Sequence, residues 1–259
     1  MGSIEKHREF LKHTIPSELE RVRSDQQKGV PPPPLQKRCP ENSELIDLVP
    51  PDDLSAGSMP LIDVIKKRRS HRQYSREPLT MEELSFLLWA TQGVRSVSKG
   101  NVHTLRMVPS AGARHPFETY VFAYRVVGLR PGLYRYLPLY HKLCFLSESD
   151  AEFHRRLIDA TLGQSFVGEG AVVFIWTVVP YRSEWRYLIR AHKVSALDAG
   201  HVCQNLYLAS EAIGAGTCAI AAYDQEKMDA LLGVDGNEEF TIYLAPVGKV
   251  KRGEKDDDS

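Results

Sequence analysis

From Leu61 onward the apolar pattern tightens, with helical faces giving way to runs rich in aromatic and β-branched residues that read as strands. Leu61, Ile62 and Ile65 share one helical face. A second helix is predicted from Thr80, which forms a capping box with Glu83, through Leu84, Leu87, Leu88 and Thr91 to a stop at Gly93. Residues 94–108 are polar and without periodicity, and read as a loop of a length more often functional than idle. Three strands of an antiparallel meander follow at 118–127, 133–136 and 141–146, with Arg130-Pro131-Gly132 as the first turn. Asp150 caps a helix through Phe153, Leu157 and Ile158. Residues 171–179 are apolar but for Thr177, as a central strand buried on both faces should be. A long helix over 194–213, a short one from its cap at Asp224 to Leu232, and a last strand at 240–247 complete the pattern.

Ahead of residue 60 the pattern fades. Ile4, Phe10, Leu11, Ile15 and Leu19 can line one side of one or two helices broken near Pro16. Four consecutive prolines after Val30 must be extended polyproline II, and the acidic stretch 39–60 carries little helix or strand pattern. Leu45, Ile46, Leu48 and Val49 give it something to bury, so it reads either as an arm crossing a surface, its own or a partner's, or as a loose tail. The expected organisation is an extension over 1–59, one domain over 60–252 and an acidic tail over 253–259.

Lys+Arg and Asp+Glu balance at 33 each, so any basic cluster is local, and a nucleic-acid-binding surface is not expected. No apolar run reaches the roughly 18 residues of a membrane span and the N-terminus begins polar, which points to the cytoplasm. Cys39, Cys144, Cys203 and Cys218 form no C-x-x-C pair, and read as reduced thiols. G-x-S-x-G, H-E-x-x-H and G-K-[ST] signatures are absent from the sequence.

Chemistry gathers in four places. Lys66, Lys67, Arg68, Arg69 and Arg72, with Ser70 among them, crowd a helix end and read either as a solvated basic terminus that needs no ligand or as an anion site, because arginine offers a planar fork of donors matched to phosphate or carboxylate oxygens. Lys249, Lys251 and Arg252 form a second cationic cluster directly after the last strand. Pro109-Ser110-Ala111-Gly112-Ala113-Arg114-His115-Pro116 is built from small residues and reads either as an ordinary turn or as a segment whose N–H groups can approach a flat ligand. Asp198, His201 and Asn205 fall on one helical stripe, where a hydrogen-bonded core or interface role is more common than a metal site. Gly214-Ala215-Gly216-Thr217-Cys218-Ala219 matches a dinucleotide fingerprint by letter but follows a helix instead of a strand, so it is not read as one.

Arg68-Arg69-Ser70-His71-Arg72, the segment 109–116, Asp198-Ala199-Gly200-His201 with Gln204-Asn205-Leu206-Tyr207, the segment 214–220, and Pro246-Val247-Gly248-Lys249 together resemble the nitroreductase superfamily, in its SagB/ThcOx-type branch. The resemblance covers about residues 60–252. It implies an α+β fold with a central, mainly antiparallel sheet flanked by helices, in an intertwined homodimer that binds FMN at the interface. Arg68, Ser70 and Arg72, with Arg69 beside them and Lys249 and Lys251 joining, would hold the phosphate and the polar rim of the ring. Pro109, Ser110, Ala111 and Gly112 would come from the partner subunit as a flat wall, and Ala219, Ile220, Ala221 and Ala222 would lie near the redox-active side. The helix with Asp198, His201 and Asn205 would be the dimerisation helix. The implied activity is ping-pong hydride transfer between NAD(P)H and a small electrophilic or heterocyclic compound, with no metal. Azole-forming members use a Lys-Tyr pair, for which this chain has Arg186-Tyr187. Arginine stays protonated and cannot act as a base, leaving Tyr187 as a proton donor or orienting group. Two alternatives are a flavin-binding scaffold with vestigial redox activity and an azoline dehydrogenase.

Overall fold

A seven-stranded antiparallel sheet carries the fold, in the order β1-β6-β5-β4-β7-β9-β8. Its strands are β1 (Leu45–Asp47), β4 (Phe117–Ala123), β5 (Gly132–Leu137), β6 (Lys142–Glu148), β7 (Val172–Val178), β8 (Ala215–Thr217) and β9 (Phe240–Lys249). A separate hairpin joins β2 (Val94–Val97) to β3 (Thr104–Arg106). The helices are α1 (Ser3–Arg8), α2 (Leu61–Lys67), α3 (Met81–Gln92), α4 (Ala151–Ala160), α5 (Tyr181–Tyr187), α6 (Arg190–Ala212) and α7 (Gln225–Leu232). The structure, a computed structural model, describes residues 3–12 and 21–250. Ile15, Pro16, Leu19, Lys251, Arg252 and the acidic tail lie outside the described residues.

The period-two alternation of the strands divides the core. Val121, Phe174 and Trp176 face α3 and α6, where Leu84, Leu87, Leu88, Val202 and Leu206 are buried. Phe122, Val173 and Ile175 face the opposite way, toward Leu157 of α4 and Met228 and Leu231 of α7. β7 is buried along its whole length between β4 and β9, in line with a sequence that is apolar but for Thr177, whose hydroxyl donates to Glu239. The caps also follow the sequence: Thr80 and Glu83 form a reciprocal capping box, Asp150 accepts from the Phe153 N–H, and Asp224 accepts from the Lys227 N–H.

Three expectations are corrected. Residues 94–108 are not a plain loop, since the β2–β3 hairpin occupies their ends. The stretch 39–60 contributes a strand, with Leu45 opposite Cys144 and Ile46 opposite Leu143. β1 is three residues long, too short for its alternation to register as a pattern. That pairing bears on the cysteines as well: Cys39 and Cys144 form a disulfide with their Cα atoms 6.0 Å apart, leaving Cys203 and Cys218 as buried free thiols. A separation of 105 residues says nothing about proximity in space, which is what a disulfide requires.

The arm lies against its own chain. Leu35 and Leu48 are buried, and the Trp185 indole N–H donates to the Val30 carbonyl at 2.9 Å. Beneath it, the Glu118 carboxylate accepts from the Lys37 backbone N–H at 2.7 Å and pairs with the buried guanidinium of Arg182. Arg106, also buried, donates to the Leu35 carbonyl at 3.2 Å and to Gln92 at 2.7 Å. Buried charge is tolerated where such partners exist, and breaking one side of the pair costs several kcal/mol.

Candidate functional site

α2 ends at Lys67 because Arg68 leaves the helical region, with φ −52° and ψ 123°. The extended segment beyond it runs along the end of β8 and β9. Ser70 bridges to Thr217, the His71 N–H donates to the Thr217 carbonyl at 2.9 Å, and the Ser75 N–H donates to the Lys249 carbonyl at 2.7 Å. Two glycines permit this approach. A Cβ on Gly216 would enter the His71 ring, and one on Gly248 would press on Tyr74. The Tyr74 hydroxyl donates to the His71 carbonyl at 2.7 Å and closes the turn.

Two stretches of positive charge, some 180 residues apart in the chain, therefore share one edge of the fold. Arg69, Ser70, His71, Arg72 and Tyr74 line a cleft there of about 440 Å³. The Arg68 guanidinium stands 5.4 Å from the centre of the Tyr207 ring, and Arg72 stands 5.9 Å from that of Phe166. Ser70 Oγ is 3.0 Å from the Tyr207 hydroxyl, which also accepts from the Ala219 N–H at 2.9 Å. Ile220 is buried and bridges to Leu244, while Ala221 and Ala222 are exposed. Burial pushes the adjacent Cys218 thiol up, with Arg72 and Ser70 acting in the opposite direction.

Lys249 joins this edge through its backbone, but its ammonium turns to the Glu83 carboxylate and to the Ile213 carbonyl, 2.9 Å away. Glu83 thus serves both the cap of α3 and the end of β9. Lys251 falls outside the described residues.

A second cluster lies elsewhere on α6. Ser110 donates to Asp198 Oδ2 at 2.6 Å and the Ala111 N–H donates to both oxygens of the same carboxylate at 3.1–3.2 Å. The His115 N–H returns to Ser110 Oγ at 2.9 Å, so the turn is closed on itself. Burial pushes the Asp198 carboxyl up, opposed by Ser110 and Ala111. Gly112 adopts φ +58°, and a Cβ there would collide with the Tyr187 hydroxyl and crowd Arg186. Arg186 and Tyr187 thus border the segment 109–112, with the Arg186 guanidinium 5.4 Å from the Tyr187 ring centre.

The polar stripe of α6 has separate structural tasks. Asp198 holds the Ser110 turn, the Asn205 amide donates to the Ala90 carbonyl at 2.8 Å, and His201 is half exposed. Among the described residues no group of three or more His, Cys, Asp or Glu side chains could hold a metal ion. No helix among them is long and apolar enough to cross a membrane.

Asp198 and Tyr207 are nine residues apart on α6, about 13.5 Å along its axis at 1.5 Å per residue. Within one chain the cationic edge and the segment 109–112 therefore sit at different stations. On the outer side of these helices, Leu61, Ile62 and Ile65 of α2 and Leu197 of α6 are 56–63% exposed. Asp198, Tyr207 and Glu83 are structural participants that sequence reasoning did not assign to the site. The available signal was polar atoms on a buried helical stripe, which must find partners.

A sequence model of the nitroreductase family matches residues 65–249. The chain is 35% identical over 189 residues to the candidate nitroreductase MJ1384 of Methanocaldococcus jannaschii, covering 73% of this chain and 90% of that protein. It is 28% identical over 156 residues to the trifolitoxin-processing protein TfxB of Rhizobium leguminosarum bv. trifolii, covering 59% of this chain but only 41% of that protein. The crystal structure of a candidate nitroreductase from Ralstonia eutropha JMP134 superposes with a TM-score of 0.66 at 26% identity, covering 86% of this chain and all of that one.

Proposed function

The chain belongs to the nitroreductase family of oxidoreductases, and from that premise we propose that it is an FMN-dependent enzyme that passes hydride from NAD(P)H to a small electrophilic or heterocyclic substrate in ping-pong fashion. The observation that carries this reading is the cationic edge, where Ser70 and Arg72 line an open cleft beside the backbone of β8 and β9 and Arg68 stands next to them over the Tyr207 ring. The residues fit a phosphate-bearing group: guanidinium forks for oxygens, a hydroxyl, and glycines that let the chain close up behind them. Bound FMN supplies the hydride chemistry, and the protein's part is binding, orientation and electrostatics.

Arg68, Ser70 and Arg72 would grip the phosphate and polar rim, with Arg69 beside them. Lys249 would contribute little charge to the phosphate, because Glu83 already pairs with its ammonium. Lys251 is proposed as a further cation of this group. Arg72 is our candidate for stabilising negative charge at the N1 and O2 edge of the reduced ring. Ala219, Ile220, Ala221 and Ala222 would flank the redox-active side. Tyr187 would donate a proton to substrate or orient it, and Arg186, permanently charged, would attract an anionic one.

The segment from Pro109 through Ser110 and Ala111 to Gly112 would meet this site from a second copy of the chain. Two observations support a homodimer: the offset of about 13.5 Å along α6, and the large apolar side chains left exposed on α2, at Leu61, Ile62 and Ile65, and on α6 at Leu197. Likeness to a trifolitoxin-processing protein favours a second reading, oxidation of a heterocycle in a peptide, in which Arg186 could not be the base.

The test is direct. Purified protein should be a dimer that binds FMN with a flavin absorption band, and Arg68→Ala and Arg72→Ala should each weaken binding about tenfold or more, as loss of a charge-assisted contact does. Colourless, monomeric protein indifferent to added FMN would end the proposal. Flavin that binds but is reduced by neither NADH nor NADPH would favour a scaffold with vestigial redox activity.

A further inference from the structure

Tyr207 sits where three elements of the cationic edge meet. Its ring lies under the Arg68 guanidinium at 5.4 Å, and its hydroxyl is 3.0 Å from Ser70 Oγ and 2.9 Å from the Ala219 nitrogen. We infer that Tyr207 is a positioning residue that sets Arg68, Ser70 and Ala219 relative to one another and aims the Ser70 hydroxyl at the phosphate, an inference that rests on the FMN reading above.

A backbone N–H can only donate, so the phenol oxygen accepts from Ala219 and its single proton remains for Ser70. Either hydroxyl can donate across that 3.0 Å pair, and when Tyr207 is the donor Ser70 Oγ keeps its own hydrogen for another acceptor. The Cys218 sulfur beside it is a weak one, whereas a phosphate oxygen is strong. The same ring restrains Arg68 through a cation–π contact, so two phosphate-facing groups are held by one side chain. α6 supplies a rigid base, because the neighbouring Leu206 is fully buried and Val202 and Ala209 are nearly so. A phenylalanine at this position would keep the ring and lose the oxygen, which separates the two contributions.

FMN and riboflavin affinities of wild type, Tyr207→Phe, Ser70→Ala, the double variant and Tyr207→Leu, measured by flavin fluorescence and compared with thermal melting, test the idea. Tyr207→Phe should weaken FMN about tenfold, one charge-assisted hydrogen bond misaligned, while changing riboflavin less than about threefold. In the Ser70→Ala background the same change should cost less than about threefold, because its route is already cut. Tyr207→Leu should weaken FMN further than Tyr207→Phe. If wild type binds FMN and Tyr207→Phe binds it within about twofold, the positioning role is wrong and the FMN reading stands. Equal losses for FMN and riboflavin, or a full tenfold loss in the Ser70→Ala background, would also overturn it. Wild type that binds no FMN would instead remove the reading beneath it.

Discussion

The Asp198 carboxylate receives the Ser110 hydroxyl at 2.6 Å, from the buried side of a helix whose inward stripe is otherwise mostly apolar. This one acceptor also satisfies the Ala111 N–H, so the conformation of the segment 109–112 is written on α6. Asp198→Ala should cost about 2–4 kcal/mol, because it strands two donors in a half-buried site. Urea unfolding checks this, and a cost below about 0.5 kcal/mol would show that the turn holds itself.

Gly112 faces a second constraint. At φ +58° any side chain is strained, and a Cβ would also strike the Tyr187 hydroxyl. Gly112→Ala should therefore lose more than about 1 kcal/mol. Tyr187→Phe, which removes the struck atom, should restore part of that loss in the double variant. Strict additivity would mean that the two residues do not touch.

His115 is buried beside Arg106, and these two effects, burial foremost, hold its imidazole down at about 3. The unfolded chain protonates near 6.5, so between these values the unfolded state binds the extra proton. Stability should accordingly fall as pH drops from about 6.5 toward 3, by up to a few kcal/mol. A pH series of urea midpoints for wild type and His115→Gln measures it, and identical slopes in the two would remove His115 as the cause.

The Cys39–Cys144 cross-link ties the arm to β6 across 105 residues. Alkylation without reductant should label Cys203 and Cys218 only, after unfolding, and all four cysteines after reduction. Cys39→Ser should destabilise the oxidised protein by about 3–5 kcal/mol through the freed loop. Four reactive thiols in unreduced, unfolded protein would refute the pairing.

Much of the fold was legible in the chain because it is written in local terms. The capping pairs at Thr80 and Glu83, at Asp150 and at Asp224 act within one helical turn. The largely apolar run of β7 reflects burial on both faces, and the aromatic and β-branched richness of the meander reflects strands buried along their length. The basic segment 66–72 and the small-residue turn 109–112 could be picked out as candidates by composition alone. β1 and the β2–β3 hairpin could not, because strands of three or four residues carry too little periodicity and owe their pairing to the neighbours they meet.

Sequence by itself determined the longer helices with their caps and the longer strands of the sheet, and it offered the basic segment 66–72 as a candidate anion site. Tertiary structure alone decided who meets whom: Cys39 with Cys144, Lys249 with Glu83, Ser110 with Asp198, and Tyr207 with Ser70 and Arg68. The division has a physical cause. Capping and amphipathic periodicity are properties of neighbouring residues, whereas these contacts span from 88 to 166 residues of chain in the cases of Ser110 with Asp198 and Lys249 with Glu83. Such pairs exist only after the sheet and α6 have brought distant segments to within hydrogen-bonding reach.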